Sequence, residues 1–247
     1  MIKDPQSPDY VIGVVGAGAM GQGIVQVALQ GGLKVILHDA REGGAASGRD
    51  AVIGRLERLV EKGKLKADDV DAMRDRVVVA SGMKDFAPCD AIVEAVFENL
   101  ELKQQIFTDL EEIVREDCIL ASNTSSLLIA SVARACKHRG RIAGLHFFNP
   151  VPLMRLVEVI QGPETDQAVA EALSTLGERL GRTPVIVKDA PGFLVNFGGR
   201  AYTTESMRLL HERVATPAQI DAIMRDCCGF RMGPCELMDL TGVDVNY

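Results

Sequence analysis

The sequence predicts an α/β protein: a mostly parallel sheet domain over residues 1–189, followed by a small all-helical domain over residues 190–247. Three observations carry this expectation. Short β-branched runs alternate with amphipathic segments of helical period up to about residue 190, which is the pattern of repeated strand–helix units. A glycine-rich turn joins the first strand to the first helix. After Asp189-Ala190-Pro191-Gly192 the strand pattern stops.

The elements follow in order. Residues 10–15 form a β-branched run ending at Gly16. Residues 22–30 carry Ile24, Val27 and Ala28 at helical spacing and stop at Gly31-Gly32. Residues 34–38 are a second apolar run, ending at Asp39. An amphipathic helix passes through Ile53, Leu56 and Val60, with Arg55, Arg58 and Lys62 on its other faces, and residues 68–75 form another short helix. Residues 77–80 and 91–96 read as buried strands, residues 118–121 and 141–148 as further strands, and residues 156–160 and 185–187 as later strand runs. Residues 102–114, 127–135 and 166–180 read as the helices between them, and residues 193–214 and 217–227 as the helices of the second domain.

The bulk properties exclude several classes. A net charge of -7 is wrong for a nucleic-acid partner, because phosphate backbones need a basic surface. No apolar run reaches the roughly 18–20 residues that span a bilayer, and residues 1–10 lack the apolar core of a secretory signal. The six cysteines show no CxxC spacing and the four histidines are scattered, so no structural zinc is expected. Reduced thiols and a cytoplasmic location are the expectation.

Gly16-Ala17-Gly18-Ala19-Met20-Gly21 fits G-x-G-x-x-G, placed between a strand and a helix as its mechanism requires. Gly16 allows the tight turn, Gly18 lets a pyrophosphate approach the backbone, and Gly21 lets helix and strand pack closely. The helix that begins at Ala19 and Met20 offers unpaired N–H groups to phosphate. Asp39 ends the second strand, where an acid accepts hydrogen bonds from a ribose 2′-hydroxyl and repels a 2′-phosphate. These features predict a Rossmann-type domain that binds NAD in preference to NADP. Arg41, two residues further on, works against that preference.

Ligands of open α/β sheets sit at the carboxyl ends of the strands. Two polar clusters stand at such ends: Ser122-Asn123-Thr124-Ser125-Ser126, and His146 just before Asn149-Pro150. Oxidising an alcohol takes a hydride acceptor and a base, and histidine suits the second role because its ordinary pKa lies near neutrality. Glu158 lies between Val157 and Val159, a costly place for a charge without a partner, and His146 would satisfy it. Taken alone, His146 reads as a core histidine, Glu158 as a solvent-facing strand-edge acid and the serine cluster as a cap for the helix that follows. Together on a nucleotide-binding chain they point to proton and hydride transfer.

At this point the blocks GAGAMGQGI, ASNTSSL, GLHFFNPVPLMRLVEVI, DAPGFLVN and MGPCELMDLTGVD resemble the L-3-hydroxyacyl-CoA dehydrogenases of fatty-acid oxidation, to which bacterial 3-hydroxybutyryl-CoA dehydrogenases belong. The resemblance runs over nearly the whole chain. It implies that His146 is the general base and Glu158 the acid that orients it. It implies that Ser125 bonds the substrate's 3-oxygen and that Asn196 holds the thioester end. It further implies that Glu98, Lys103 and Asn149 contact the nicotinamide half of NAD, and that Lys62 reaches the CoA phosphates. Arg55, Arg58, Lys62, Lys64 and Lys66 form a local positive group on an acidic chain, as a CoA ligand requires; a solvated helix face explains any one of them equally well.

The chain departs from the family at Phe197, where many relatives have arginine, and at Cys235, where a bulky apolar residue is usual. It is also short at the C-terminus, so the helical domain, which in the family pairs two copies and closes the acyl pocket, is expected to be incomplete. The expected function is NAD-dependent, reversible oxidation of L-3-hydroxyacyl-CoA to 3-ketoacyl-CoA by a homodimer without nucleic-acid or membrane partners. Two alternatives stand beside it: a dehydrogenase of a free hydroxy acid on the same fold, and a catalytically incomplete NAD-binding fragment of a larger protein.

Overall fold

The structure is a computed structural model that describes residues 1–242. Val243 and Asp244, which end the last resembling block, and the terminal Val245, Asn246 and Tyr247 lie outside the described residues. The chain divides into two compact units, Met1–Phe193 and Leu194–Tyr247. The first unit runs past the boundary expected after residue 189, because Phe193 is buried in the core of the sheet domain.

That unit is built on one eight-stranded sheet of order β3-β2-β1-β4-β5-β6-β7-β8. Its strands are β1 (Val11–Val15), β2 (Lys34–His38), β3 (Val77–Val79), β4 (Ala91–Glu94), β5 (Ile119–Ser122), β6 (Ile142–Phe147), β7 (Leu156–Gln161) and β8 (Thr183–Lys188). Every neighbouring pair is parallel except β6 with β7. The order reverses between β1 and β4, and such a switch point opens a crevice at the carboxyl ends of the strands.

The strands read as continuous apolar runs because helices cover both faces of the sheet. Alternate residues feed two cores. Ile12, Val14, Val35, Leu37, Ala91 and Val93 face α1 (Ala19–Gln30), α2 (Gly44–Glu61) and α6 (Gln167–Arg179). Val15, Ile36, Ile92 and Leu120 face the other way, with Phe107 and Leu110 of α4 (Leu100–Ile113) and Ile129 and Val132 of α5 (Ile129–Ala133). A further helix, α3 (Ala67–Arg76), leads into the edge strand β3.

In the second unit, α7 (Val195–His211), α8 (Pro217–Asp226) and α9 (Pro234–Thr241) follow one another. The start of α8 is fixed by a capping box, with Thr216 and Gln219 satisfying each other's backbone N–H groups and Pro217 at the first helical position. Two helices depart from the sequence expectation. α2 begins at Gly44, well before Ile53, because its buried face there consists of the small residues Ala45 and Gly48, which carry almost no periodic signal. α9 was not anticipated; Pro234 at its first position and Glu236 accepting from the Gly233 N–H at 2.9 Å mark its start. Among the described residues no helix is long and apolar enough to cross a membrane.

Candidate active site

The turn from β1 into α1 has the shape the glycine pattern demands. Gly16 adopts a φ of +102°, and its N–H donates to the His38 carbonyl at 2.8 Å, locking the turn to the end of β2. A Cβ on Gly21 would stand 1.8 Å from the Gly16 carbonyl oxygen, so only glycine lets α1 rise so close to the turn. A Cβ on Gly18 would meet no atom within 4 Å, which leaves open the approach a pyrophosphate needs. Gly18 is the N-cap of α1 and supplies no side-chain cap, so the first N–H groups, from Ala19 and Met20 onward, stay available to an anion.

Gly21→Ala is therefore expected to lower the melting temperature, as overpacking costs about 1–3 kcal/mol. It is expected to weaken NADH binding by roughly tenfold or more, since a shift of about 1.4 kcal/mol is tenfold in affinity. Thermal unfolding and fluorescence titration check this. Wild-type values for both would contradict the reading of the turn.

Asp39 follows β2 and folds back on the glycine loop, accepting from the Ala17 N–H at 2.8 Å. Hydrogen bonds from the Arg41 side chain hold its pKa down at about 2, aided by the Ala17 and Arg41 backbone N–H groups. The acid stays ionised through the physiological range.

Beyond β4 lies a polar network that the sequence did not disclose. Glu94, the last residue of β4, is fully buried and accepts from the Lys103 ammonium at 2.7 Å, the Val96 N–H at 2.7 Å and the Ser122 hydroxyl at 2.6 Å. Lys103 is itself only 1% exposed and stands 3.3 Å from Glu98. Its ammonium thus lies between two carboxylates, where the resemblance implies a contact with the nicotinamide half of the cofactor. Glu98 in turn gathers the serine loop: it accepts from the Thr124 and Ser126 hydroxyls and from the Ser125 and Ser126 N–H groups. Burial opposes its ionisation, but the hydrogen bonds from Thr124 and Ser126 and the charge of Lys103 outweigh it and lower its pKa. Ser125 is exposed and held in place through its backbone.

Of the loop's hydroxyls, Thr124 Oγ1 accepts from the Ser126 and Leu127 N–H groups at 3.3 and 2.9 Å, just ahead of the next helix. α5 starts only at Ile129, and Asp189 takes its first N–H groups, from Ile129 at 2.9 Å and Ala130 at 2.8 Å.

The histidine and the acid meet by strand register. In the antiparallel β6–β7 pair His146 stands directly opposite Glu158, so both side chains leave the same face of the sheet. His146 Nδ1 and Glu158 Oε2 are 2.7 Å apart, with the two side chains 5% and 0% exposed. Phe148 and Phe193 wall the imidazole, with ring centroids 4.5 and 5.7 Å away. Asn123 ties the end of β5 to this point by accepting from the Phe147 N–H at 2.8 Å. The segment joining β6 to β7 is pinned from β8's approach by Arg182, which donates to the Val151 and Met154 carbonyls at 3.0 and 2.7 Å. A carboxylate at Nδ1 makes that nitrogen the N–H donor of a neutral imidazole and leaves Nε2 as the basic one.

Lys62 lines a cleft of about 540 Å³ between α1, α2 and the segment around Asn149. Arg55 reaches into its wall, donating to Gln26 at 3.2 Å and Gln22 at 3.1 Å. The remaining terminal nitrogen of Arg55 is buried with no partner. Desolvation and then the nearby Arg58 charge disfavour this cation, conditions that an incoming anion relieves. The glycine loop, Asp39, Glu98, Ser125, His146 and Glu158 all gather at the carboxyl edge of the sheet, whereas Asn196 stands in the first turn of α7 in the second unit. Among the described residues no group of three or more His, Cys, Asp or Glu side chains is placed to hold a metal ion.

Comparison with known proteins gives a consistent picture. Residues 11–190 match the profile described as "3-hydroxyacyl-CoA dehydrogenase, NAD binding domain", and residues 192–247 that described as "3-hydroxyacyl-CoA dehydrogenase, C-terminal domain". The chain is 41% identical over 96% of its length to 3-hydroxyadipyl-CoA dehydrogenase of Escherichia coli K12, and spans 50% of that protein. It is 38% identical over 95% of its length to 3-hydroxybutyryl-CoA dehydrogenase of Bradyrhizobium diazoefficiens, of which it spans 80%. The solved structure of (S)-3-hydroxybutyryl-CoA dehydrogenase from Ralstonia eutropha superposes with a TM-score of 0.93 at 37% identity, covering 96% of this chain and 83% of that one.

Proposed function

This chain belongs to the 3-hydroxyacyl-CoA dehydrogenase family, an NAD-dependent group of oxidoreductases, and on that premise we propose that it oxidises L-3-hydroxyacyl-CoA reversibly to 3-ketoacyl-CoA. The observation that carries the reading is the buried His146–Glu158 pair at 2.7 Å, on the same sheet edge as the glycine loop. The Gly16–Gly21 turn, the first N–H groups of α1 at Ala19 and Met20, and Asp39 hold the nucleotide, with Glu98, Lys103 and Asn149 toward its nicotinamide end. When bound, NAD supplies the acceptor for the hydride that leaves the carbinol carbon.

The chain's own residues handle the proton. His146 Nε2 takes the proton of the 3-hydroxyl, and the Glu158 carboxylate stabilises the imidazolium that results. Ser125, set by Glu98, bonds the 3-oxygen, and Asn196 holds the thioester end. In the reverse direction His146 returns the proton to the 3-keto oxygen.

Acyl-CoA is favoured over a free hydroxy acid by the Arg55–Arg58–Lys62 cleft, whose partnerless Arg55 nitrogen suits a CoA phosphate. The test is NADH consumption with acetoacetyl-CoA against free acetoacetate. Turnover confined to the thioester is expected, and preference for the free acid would overturn the substrate assignment. Arg55→Ala is expected to raise KM for acetoacetyl-CoA by about tenfold, the cost of one charge-assisted hydrogen bond of about 1.5 kcal/mol. No NADH consumption with either substrate would favour the incomplete-fragment alternative. The proposal includes a cytoplasmic location, which six free thiols suit, and pairing of two copies through the helical domain.

A further inference from the structure

The carboxylate of Asp39 is fully engaged. Oδ1 accepts from the Arg41 N–H and Nε, both at 2.9 Å, and Oδ2 accepts from the Ala17 N–H at 2.8 Å and from Arg41 Nη2 at 3.1 Å. A carboxylate offers about four lone-pair positions, so no place is left for a ribose hydroxyl. Two of the four donors are fixed backbone groups. The other two belong to the Arg41 guanidinium, whose side chain is 69% exposed and can turn away. A ribose that reaches Asp39 must therefore displace Arg41 and leaves its guanidinium free beside the 2′-position.

The electrostatics of this corner then differ from those of a bare acid. Asp39 and Arg41 together carry no net charge, and a guanidinium fork matches a phosphate in geometry. The loop beside Arg41 is uncrowded: a Cβ on Gly43 would meet no atom within 4 Å. The adjacent opposing charge is Glu42, which is exposed and limits the gain to tolerance of a phosphate over preference for it. We propose that Arg41 selects the nucleotide in this chain, and that its adenosine subsite accepts a ribose 2′-phosphate, so that NADP(H) binds in addition to NAD(H). The inference rests on the nucleotide site assigned to the glycine loop and Asp39.

The test is fluorescence titration of the protein with NADH and with NADPH, without acyl-CoA. Both are expected to bind saturably, with NADPH binding weakening more steeply than NADH binding as salt is raised. Arg41→Ala is expected to weaken NADPH by about tenfold or more, as loss of a phosphate-binding fork does, while NADH binds as well as before or better, because its ribose no longer competes with a guanidinium. Arg41→Lys should fall between the two. Saturable binding of NADH alone, or an Arg41→Ala variant that weakens both nucleotides equally, would overturn the proposal. If neither nucleotide bound, the underlying site assignment would fall and this inference with it.

Discussion

His146→Gln is expected to lower turnover of acetoacetyl-CoA by about 100-fold or more, the usual loss when a general base is removed. Glutamine approximates the size of the imidazole and can still donate to Glu158, so the strand pair and the sheet edge should survive. It has no basic nitrogen to take a proton. NADH affinity is expected to stay close to the wild-type value, because the glycine loop joins β1 to α1 and Asp39 follows β2, and β4 and β5 separate these strands from β6. Steady-state kinetics and NADH titration on the same preparation separate the two effects. Near-normal turnover would remove His146 from the mechanism, and a parallel collapse of NADH binding would point to a structural role.

Glu158→Gln carries the second large effect. Glu158 is 0% exposed and bonded to His146 Nδ1. An amide there can present its NH₂ to Nδ1, which moves the imidazole proton to Nε2 and blocks the nitrogen that must act as base. It also removes the charge that stabilises the imidazolium. A loss of roughly 10²–10⁴-fold in kcat is expected by analogy with the acid of a hydrolase triad. Stability should move the other way or not at all: a buried carboxylate is costly to desolvate, and a neutral isostere avoids that cost. An unchanged or raised melting temperature with collapsed turnover would mark a group retained for chemistry at the expense of stability. A large fall in melting temperature with modest kinetic change would mean that Glu158 serves the fold.

Most of the sheet was legible in the sequence because parallel strands covered on both faces leave continuous apolar runs, as in Val11–Val15 and Ile119–Ser122. The fingerprint was legible because each glycine answers a steric demand visible in the pattern itself. The start of α2 was hidden because Ala45 and Gly48 pack by their smallness and leave no apolar stripe. The direction of β7 carried no signal in its own residues. Its short connection to β6, residues 148–155, is the feature that permits an antiparallel return, since parallel neighbours need a longer crossover. That reversal is what brings His146 and Glu158 face to face.

The network behind Ser125 was less legible still. Glu94 ends an apolar strand, and that is the one sign of a buried carboxylate with work to do. Its link through Lys103 to Glu98 joins residues far apart in role but adjacent in space, at the ends of β4 and β5 and in α4. Likewise the basic group Arg55, Arg58 and Lys62 was visible as charge. Only the packing of Gln22 and Gln26 against Arg55 shows which cation is left without a partner.

In the proposed reaction the imidazole and the carboxylate act as one proton-handling unit. The kinetic cycle of His146→Gln, Glu158→Gln and the double variant measures this coupling. The double variant is expected to lose no more turnover than His146→Gln alone, because Glu158 acts in catalysis only through that imidazole. Losses that multiply across the two sites would show that each residue works independently of the other.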